Sequence, residues 1–187
     1  MNRYLALLLP ALLASPVQAA DTYTIDPTHT WPVFEVSHMG YSTQRGRFNK
    51  TSGKIMLDVA AKKGSVDITI DTASIDMGFE KWNEYMRDIN FFHVAQFPTM
   101  RFVSEKLVFE GDKPVAAEGE LTLLGTPVPV TLTIAGFKCG THPMLRKEMC
   151  GANISTTIKR SDFSMSRFIS SIGDEVRIFS PVEAFRD

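Results

Sequence analysis

Along most of the chain, apolar side chains recur at every second residue, the period of a half-buried β-strand. The cleanest run is "SVDITID", residues 65–71, where Val66, Ile68 and Ile70 alternate with Asp67, Thr69 and Asp71. The same alternation marks Phe34 and Val36; Ile55, Leu57 and Val59; Met100 and Phe102; Leu107 and Phe109; and Leu121 and Leu123. It continues through Val128, Val130, Leu132 and Ile134, then Ile154, Thr156 and Ile158, then Val176 and Ile178. Short turns rich in Gly, Pro, Asn, Asp or Ser separate these runs, among them "NKTSGK", "AAKKGS", "FEGDKP" and "LLGTPVP". Such gaps are too short for the crossover helix of a parallel pair, so the strands are expected to pair antiparallel.

One stretch changes period. Trp82, Tyr85, Met86 and Ile89 in "EKWNEYMRDI" fall at the i, i+3, i+4, i+7 spacing of a single helix face. The pattern therefore predicts an all-β chain of about eight or nine strands with one short helix. Strands with one apolar face must hide it, either in a sandwich of two sheets or in one sheet closed on itself. Periodicity does not choose between the two.

The N-terminus stands apart from this pattern. "MNRYLALLLPALLASPVQA" has one basic residue, an apolar run from Leu5 to Leu13, and small residues placed for cleavage after Ala19, the layout of a secretory signal. The apolar run is shorter than the roughly 20 residues that span a bilayer. We therefore expect residues 1–19 to be removed, leaving residues 20–187 as one exported domain with no integral membrane span. That length is enough to bury a core without help from a metal.

Export gives the two cysteines their default state. Cys139 and Cys150, in "FKCGTHPMLRKEMCGA", are expected to form a disulfide, worth roughly 3 kcal/mol in the chain-entropy model. Their spacing fits neither a thioredoxin-type redox pair nor a zinc site. Charge is nearly balanced: without Arg3, 19 basic and 21 acidic residues remain, and neither sign forms a block that would draw nucleic acid.

Candidate chemistry is sparse. The histidines His29, His38, His93 and His142 lack the helical or alternate-strand spacing that would bring two metal ligands together, and only His29 and His38 stand near enough in sequence to approach each other. No metal or cofactor is expected. A serine in a G-x-S-x-G elbow is absent, as are Gly-rich phosphate loops and a paired-carboxylate arrangement. What the chain does carry is 13 Phe and 9 Met, four of the phenylalanines within "INFFHVAQFPTMRF". Phe supplies large apolar area and Met adapts to irregular shapes, which suits either a packed core or a pocket for a long apolar molecule.

Taken in order, "YTIDPTHTWPVFEVSHMGYSTQRGRF", "GKIMLD", "SVDITIDTASIDMG", "INFFHVAQFPTMRF", "GELTLLGTPVPVTLTI", "IKRSDFSMS" and "IGDEVRI" resemble the YceI-like family of polyisoprenoid-binding periplasmic proteins over nearly the whole mature chain. The two-cysteine hairpin is similar to one in a branch of that family. The resemblance implies a lipocalin-like antiparallel β-barrel of about eight strands. It also implies a periplasmic location and a tunnel for an isoprenoid or similar lipid, with a quinone-like or prenyl-phosphate head and no established catalysis. A membrane-associated donor or acceptor fits that role, and oligomeric state is left open. Two departures stand out: Met77 and Trp82 replace a threonine and an Asp-x-x-Leu pattern, and Ser164 in "DFSMS" stands where glycine is usual, at a position that calls for glycine's backbone freedom.

On this reading the tunnel wall is expected from Phe34, Val36, Phe48, Phe102, Leu121, Leu123, Val130 and Leu132, with Phe91, Phe92 and Phe97 beside the helix. Phe163, Met165, Phe168 and Ile169 would close another side. Arg45, Arg47 or Arg101 would meet a phosphate head, and His38 a quinone. Two other function classes remain: an enzyme acting on a small hydrophobic or lipid substrate, with Asp26 and His29 as its first candidates, and a ligand-free barrel that works through its loops.

Overall fold

A computed structural model describes residues 20–187, so the expected leader at 1–19 lies outside the described residues. The chain forms strands β1 (Asp21–Ile25), β2 (Val33–His38), β3 (Ser42–Phe48), β4 (Thr51–Asp58), β5 (Lys63–Asp71) and β6 (Ile75–Asp76), then one helix, α1 (Glu80–Arg87). The long strands β7 (Thr99–Glu110), β8 (Lys113–Leu123), β9 (Thr126–Thr141), β10 (Glu148–Lys159) and β11 (Ile172–Arg186) follow. Every pairing is antiparallel. Eleven strands exceed the expected count because β1, β3 and β6 carry little alternation: "STQRGRF" in β3 has no apolar residue before Phe48.

The sheet closes on itself. Its order runs β1-β4-β5-β7-β8-β9-β10-β11, and β11 returns to β1, giving an eight-stranded lipocalin-like barrel. β11 is the seam. One edge bonds β10 along its length, while the other bonds β1 through residues 184–186 and β2 through residues 172–179. β2 leads on to β3 and β6, which extend the wall beyond β1. Closure satisfies edge groups that an open sheet would leave bare.

α1 and the turns after it cover the end of the barrel where β7 starts. Here the expected helix face is corrected. Of the four expected positions Met86 borders the interior, while Trp82, Tyr85 and Ile89 are exposed and Ile89 lies past the helix end. Two turns of helix are too short to carry that stripe inward. The helix docks instead through buried Asn83, whose side-chain oxygen accepts from Met77 N at 2.7 Å, and through Arg87, which donates to Ala73 O at 3.0 Å. The chain then turns at Asp88, whose carbonyl accepts from Phe91 N and His93 N, so Phe91 and Phe92 fill the interior position instead. His93, at positive φ, belongs to this turn, and its ring meets Phe97 edge-on at 5.8 Å.

At the seam end of β10, a 3-10 turn over Arg160–Phe163 leads into the 164–171 loop. Ser164 adopts the left-handed conformation there, φ 64°, so the departure from glycine keeps the backbone shape and bears its strain. At the opposite end, Cys139 and Cys150 face one another across β9 and β10 and are joined as a disulfide.

Replacing Ser164 by glycine is expected to relieve that strain by about 1 kcal/mol, raising the melting temperature by about 2–4 °C. Thermal unfolding followed by circular dichroism checks this. A lower melting temperature would mean that the hydroxyl or the stiffer unfolded chain matters more than the strain.

Candidate functional site

The inward faces of the barrel strands do not meet in the middle. They enclose a cavity of about 240 Å³ with an almost wholly apolar wall. Two features keep it open. Many inward positions carry short side chains: Thr51 on β4, Ala117 on β8, Gly151 and Ala152 on β10, and Ser180 and Ala184 on β11. The large rings, in turn, lie along the wall because glycines make room for them. A Cβ at Gly46 would come within 2.5 Å of the Phe34 ring, and one at Gly119 within 2.7 Å of the Phe102 ring.

The cavity is a bore rather than a pocket. The inward residues of β10 and its continuation border it from Cys150 to Arg160, Ile154, Thr156 and Ile158 among them, a stretch of strand roughly 33 Å long at about 3.3 Å per residue. At one end lie Tyr23, Leu107, Ala117, Phe137 and Cys150, and at the other Met165, Ile172 and Arg160. Beside that second end, Phe48 meets Phe92 edge-on with centroids 5.2 Å apart, and Phe34 packs on Phe48 at 6.0 Å. Met86, Phe91 and Phe92 line the bore at this end.

Of the wall residues expected from the sequence, Phe34, Val36, Phe48, Phe91, Phe92, Phe102, Leu121, Leu123, Val130, Leu132 and Met165 border the bore. Four do not. Phe97 packs outward over Gly125 and lends its carbonyl to Thr72 Oγ1. Phe163 is fully enclosed beneath the 3-10 turn, Phe168 is exposed under the Arg167 guanidinium, and Ile169 is exposed beside it. These last residues sit in a loop that bends back on itself, where strand alternation has no meaning.

None of the expected head-group partners borders the bore. Arg45 and Arg177 flank Glu35 on the outer face at 2.6 and 2.7 Å. Arg101 makes a bidentate pair with Asp67 at 2.7 and 2.6 Å, and Arg47 lies 3.7 Å from Asp76 and over the Trp31 ring. His38 ends β2 opposite Ile172 and Ser42. His29 precedes β2 and His38 ends it, so the length of that strand stands between them.

The charged residue that does border the bore is Arg160. Its guanidinium donates to the carbonyls of Gly173, Met165, Arg167 and Ile172 at 2.7–2.9 Å, which pins the closing loop. Burial pulls its pKa down, with Asp174 opposing. Alternation points to it, since it follows Ile154, Thr156 and Ile158 at the same two-residue step.

Asp26 and His29 form an ion pair on the outside. His29 Nδ1 lies 2.7 Å from Asp26 Oδ2 and 3.9 Å from Glu183 Oε2, and neither Asp26 nor His29 borders the bore. The donor atoms of the three lie within 4.8 Å of one another, but the Asp26 contact already engages the imidazole nitrogen. Burial works to raise the Asp26 carboxyl, yet hydrogen bonds from His29 and Thr28 outweigh it and hold it below the usual range. The same bond to Asp26 holds His29 above the usual histidine value.

The pair's pH dependence follows from these directions. His29, raised, contributes fully below its ordinary value of 6.5 and is lost as pH rises through its folded value. Asp26, lowered, contributes fully above 3.8 and is lost as pH falls through its folded value. His29→Gln is therefore expected to cost most stability at about pH 5 and least above pH 8, the difference staying small because His29 is 62% exposed. Urea unfolding at the two pH values checks this, and an equal loss at both would refute it.

Comparison with known proteins places this bore in context. The YceI-like domain model matches residues 23–184. A UPF0312 protein of Shewanella denitrificans is 33% identical over 94% of this chain and 92% of its own. Among solved structures, Burkholderia cenocepacia BcnA is similar at TM-score 0.71 and 26% identity, covering 86% of this chain and 99% of that one. A polyisoprenoid binding domain from Saccharophagus degradans shares the fold at TM-score 0.64 and 19% identity, covering 88% of this chain and 98% of that one.

Proposed function

Because the chain belongs to the YceI-like domain family, we propose that it is an exported, non-catalytic carrier that binds, stores or moves a polyisoprenoid or similar long-chain lipid in its bore. The observation that carries this reading is the shape and chemistry of the cavity: it follows β10 from Cys150 to Arg160, is apolar along its walls, and is left open by short side chains where a packed core would be filled. Burying a lipid tail there yields about 25 cal/mol per Å² of apolar area, less the cost of ordering the tail.

The wall offers no general base. Its buried side chains with a polar atom are four hydroxyls, the Tyr23 phenol among them, and the carbonyl-bound Arg160, and the Asp26–His29 pair lies outside it. This favours carriage over turnover of the lipid. The polyisoprenoid-binding description of the Saccharophagus domain supports the ligand class. Signal cleavage after Ala19 and a periplasmic location belong to the same reading, as does delivery between membrane-associated partners. No helix among the described residues is long and apolar enough to cross a membrane.

Organic extraction of protein purified from its own periplasm, followed by mass spectrometry, is expected to release a prenyl-chain lipid in stoichiometric amount. An empty bore in freshly isolated protein would count against the reading. Ala152→Trp places an indole in the open space on β10 without adding charge, and is expected to abolish lipid retention while the strand signature in circular dichroism persists. Undiminished retention would show that the lipid sits elsewhere.

A further inference from the structure

The exposed apolar side chains of the barrel are not spread evenly; they gather at the end held by Arg160. Met39 and Tyr41 stand on the turn between β2 and β3, and Phe168 and Ile169 on the loop between β10 and β11. All four are exposed, Tyr41 to 90%. The two connections adjoin. His38 pairs with Ile172, and Met39 N donates to Ser171 O at 2.6 Å, so both project past the last rung between β2 and β11. Trp82, Tyr85 and Ile89, which fail to turn inward, are exposed at the same end.

Charge separates this end from the other. From Val36 to Gly46, and from Phe163 to Gly173, the chain has no carboxylate. Arg45, Arg47, Arg87, Arg101, Arg177 and Arg186 each pair with an acid. Arg167 pairs with none among the described residues and lies 4.6 Å over the Phe168 ring. At the opposite end every connection is charged: Lys62 between β4 and β5, Asp112 between β7 and β8, and Arg146 and Lys147 between β9 and β10. Met144 and Leu145 are exposed there, but they share that end with the carboxylates of Asp58, Glu110 and Asp112.

Apolar surface gathered in one place marks an interaction site. Its form here names the partner. Separate bulky tips on projecting loops, spaced by Gly, Ser and Thr, would each need a matching pocket in a folded protein, whereas a bilayer yields around them. Aromatic rings settle at head-group level, and an arginine whose stem lies on a ring can reach a lipid phosphate. A surface free of carboxylates avoids repulsion by those phosphates.

We propose that the barrel docks on a phospholipid bilayer by this end, with Met39, Tyr41, Phe168 and Ile169 entering the head-group region and Arg167 meeting a lipid phosphate. The proposal rests on the carrier reading for its purpose. Met165 and Ile172, in and beside the entering loop, border the bore, so a lipid passing from the bilayer meets apolar side chains from the tips inward.

The test sediments the purified protein with vesicles of phosphatidylethanolamine and phosphatidylglycerol. Wild type is expected to co-sediment, and Tyr41→Ser combined with Phe168→Ser to lose about 10-fold or more in vesicle affinity. Arg167→Glu, which brings a carboxylate to the tips, is expected to weaken binding as well. Met144→Ser combined with Leu145→Ser, at the opposite end, is expected to bind as wild type does. None of these residues borders the bore, so lipid recovered by extraction is expected to be unchanged in all of them. Tyr41→Trp reads insertion in a fully apolar-tipped protein: its added fluorescence is expected to be quenched by brominated lipid beyond the wild-type background from Trp31 and Trp82.

Wild type left in the supernatant would overturn the docking face, as would undiminished binding in either tip variant or an equal loss in the opposite-end variant. An indole at position 41 that brominated lipid does not reach would overturn it too. Self-association lost in the tip variants, without vesicle binding, would assign the surface to a second copy instead. Protein that retains its lipid but ignores vesicles loses the docking face and keeps the carrier reading. Protein that docks with an empty bore loses the carrier reading alone.

Discussion

Ring closure through β11 is the constraint on which the rest of the molecule depends. A strand that bonds β10 on one edge and both β1 and β2 on the other leaves no free edge at the seam, so the sheet has an inside. Once closed, the alternation of each strand has one meaning all round the ring, with Ile68, Phe102, Leu121 and Ile154 inward and Asp67, Arg101, Glu120 and Asn153 away from the bore. The division of β11 between β1 and β2 also explains the outer ion pair. Residues 26–32 must cross from one partner strand to the next, and Asp26, His29 and Glu183 gather where they cross, beside the Thr30 hydroxyl bonded to the Glu183 backbone.

An enclosed apolar face does not by itself make a cavity. An eight-stranded barrel has an interior that side chains can just fill, and what prevents filling here is the placement of small residues. Thr51, Ala117, Ala152, Ser180 and Ala184 stand back from the axis, while Gly46 and Gly119 let Phe34 and Phe102 lie against the wall. The residues that make space are thus distributed around the ring, and the aromatic mass is gathered at one end under the segment that follows α1. Arg160 secures that end by holding the loop between β10 and β11 through four carbonyls, a structural use of a buried cation that leaves the bore itself nearly free of charge.

Much of the wall was legible along the chain, because a two-residue period names the inward face of a strand without knowledge of its neighbours. The same rule, carried further, would have found Arg160 after Ile158 and Thr51 before Gly53 and Ile55, and would have put Arg101 outside, since it stands between Met100 and Phe102. Failures cluster where the period stops. Phe163, Phe168 and Ile169 belong to a turn and loop, and Trp82, Tyr85 and Ile89 to a helix too short to bury its stripe. In such segments the direction of a side chain is set by long-range contacts, here Arg160 with the loop carbonyls and Asn83 with Met77.

The amino-acid sequence by itself determined the strand period, the antiparallel pairing implied by short turns, and the cysteine pair fit to bond in a hairpin. These depend on local backbone geometry and on residues close in sequence. Tertiary structure decided that the sheet closes rather than stacks, that the interior stays hollow, and that Arg45, Arg47 and Arg101 are paired outside. Each of these is set by groups far apart in the chain, and such distances are fixed only when β11 meets β1 and the ring is complete.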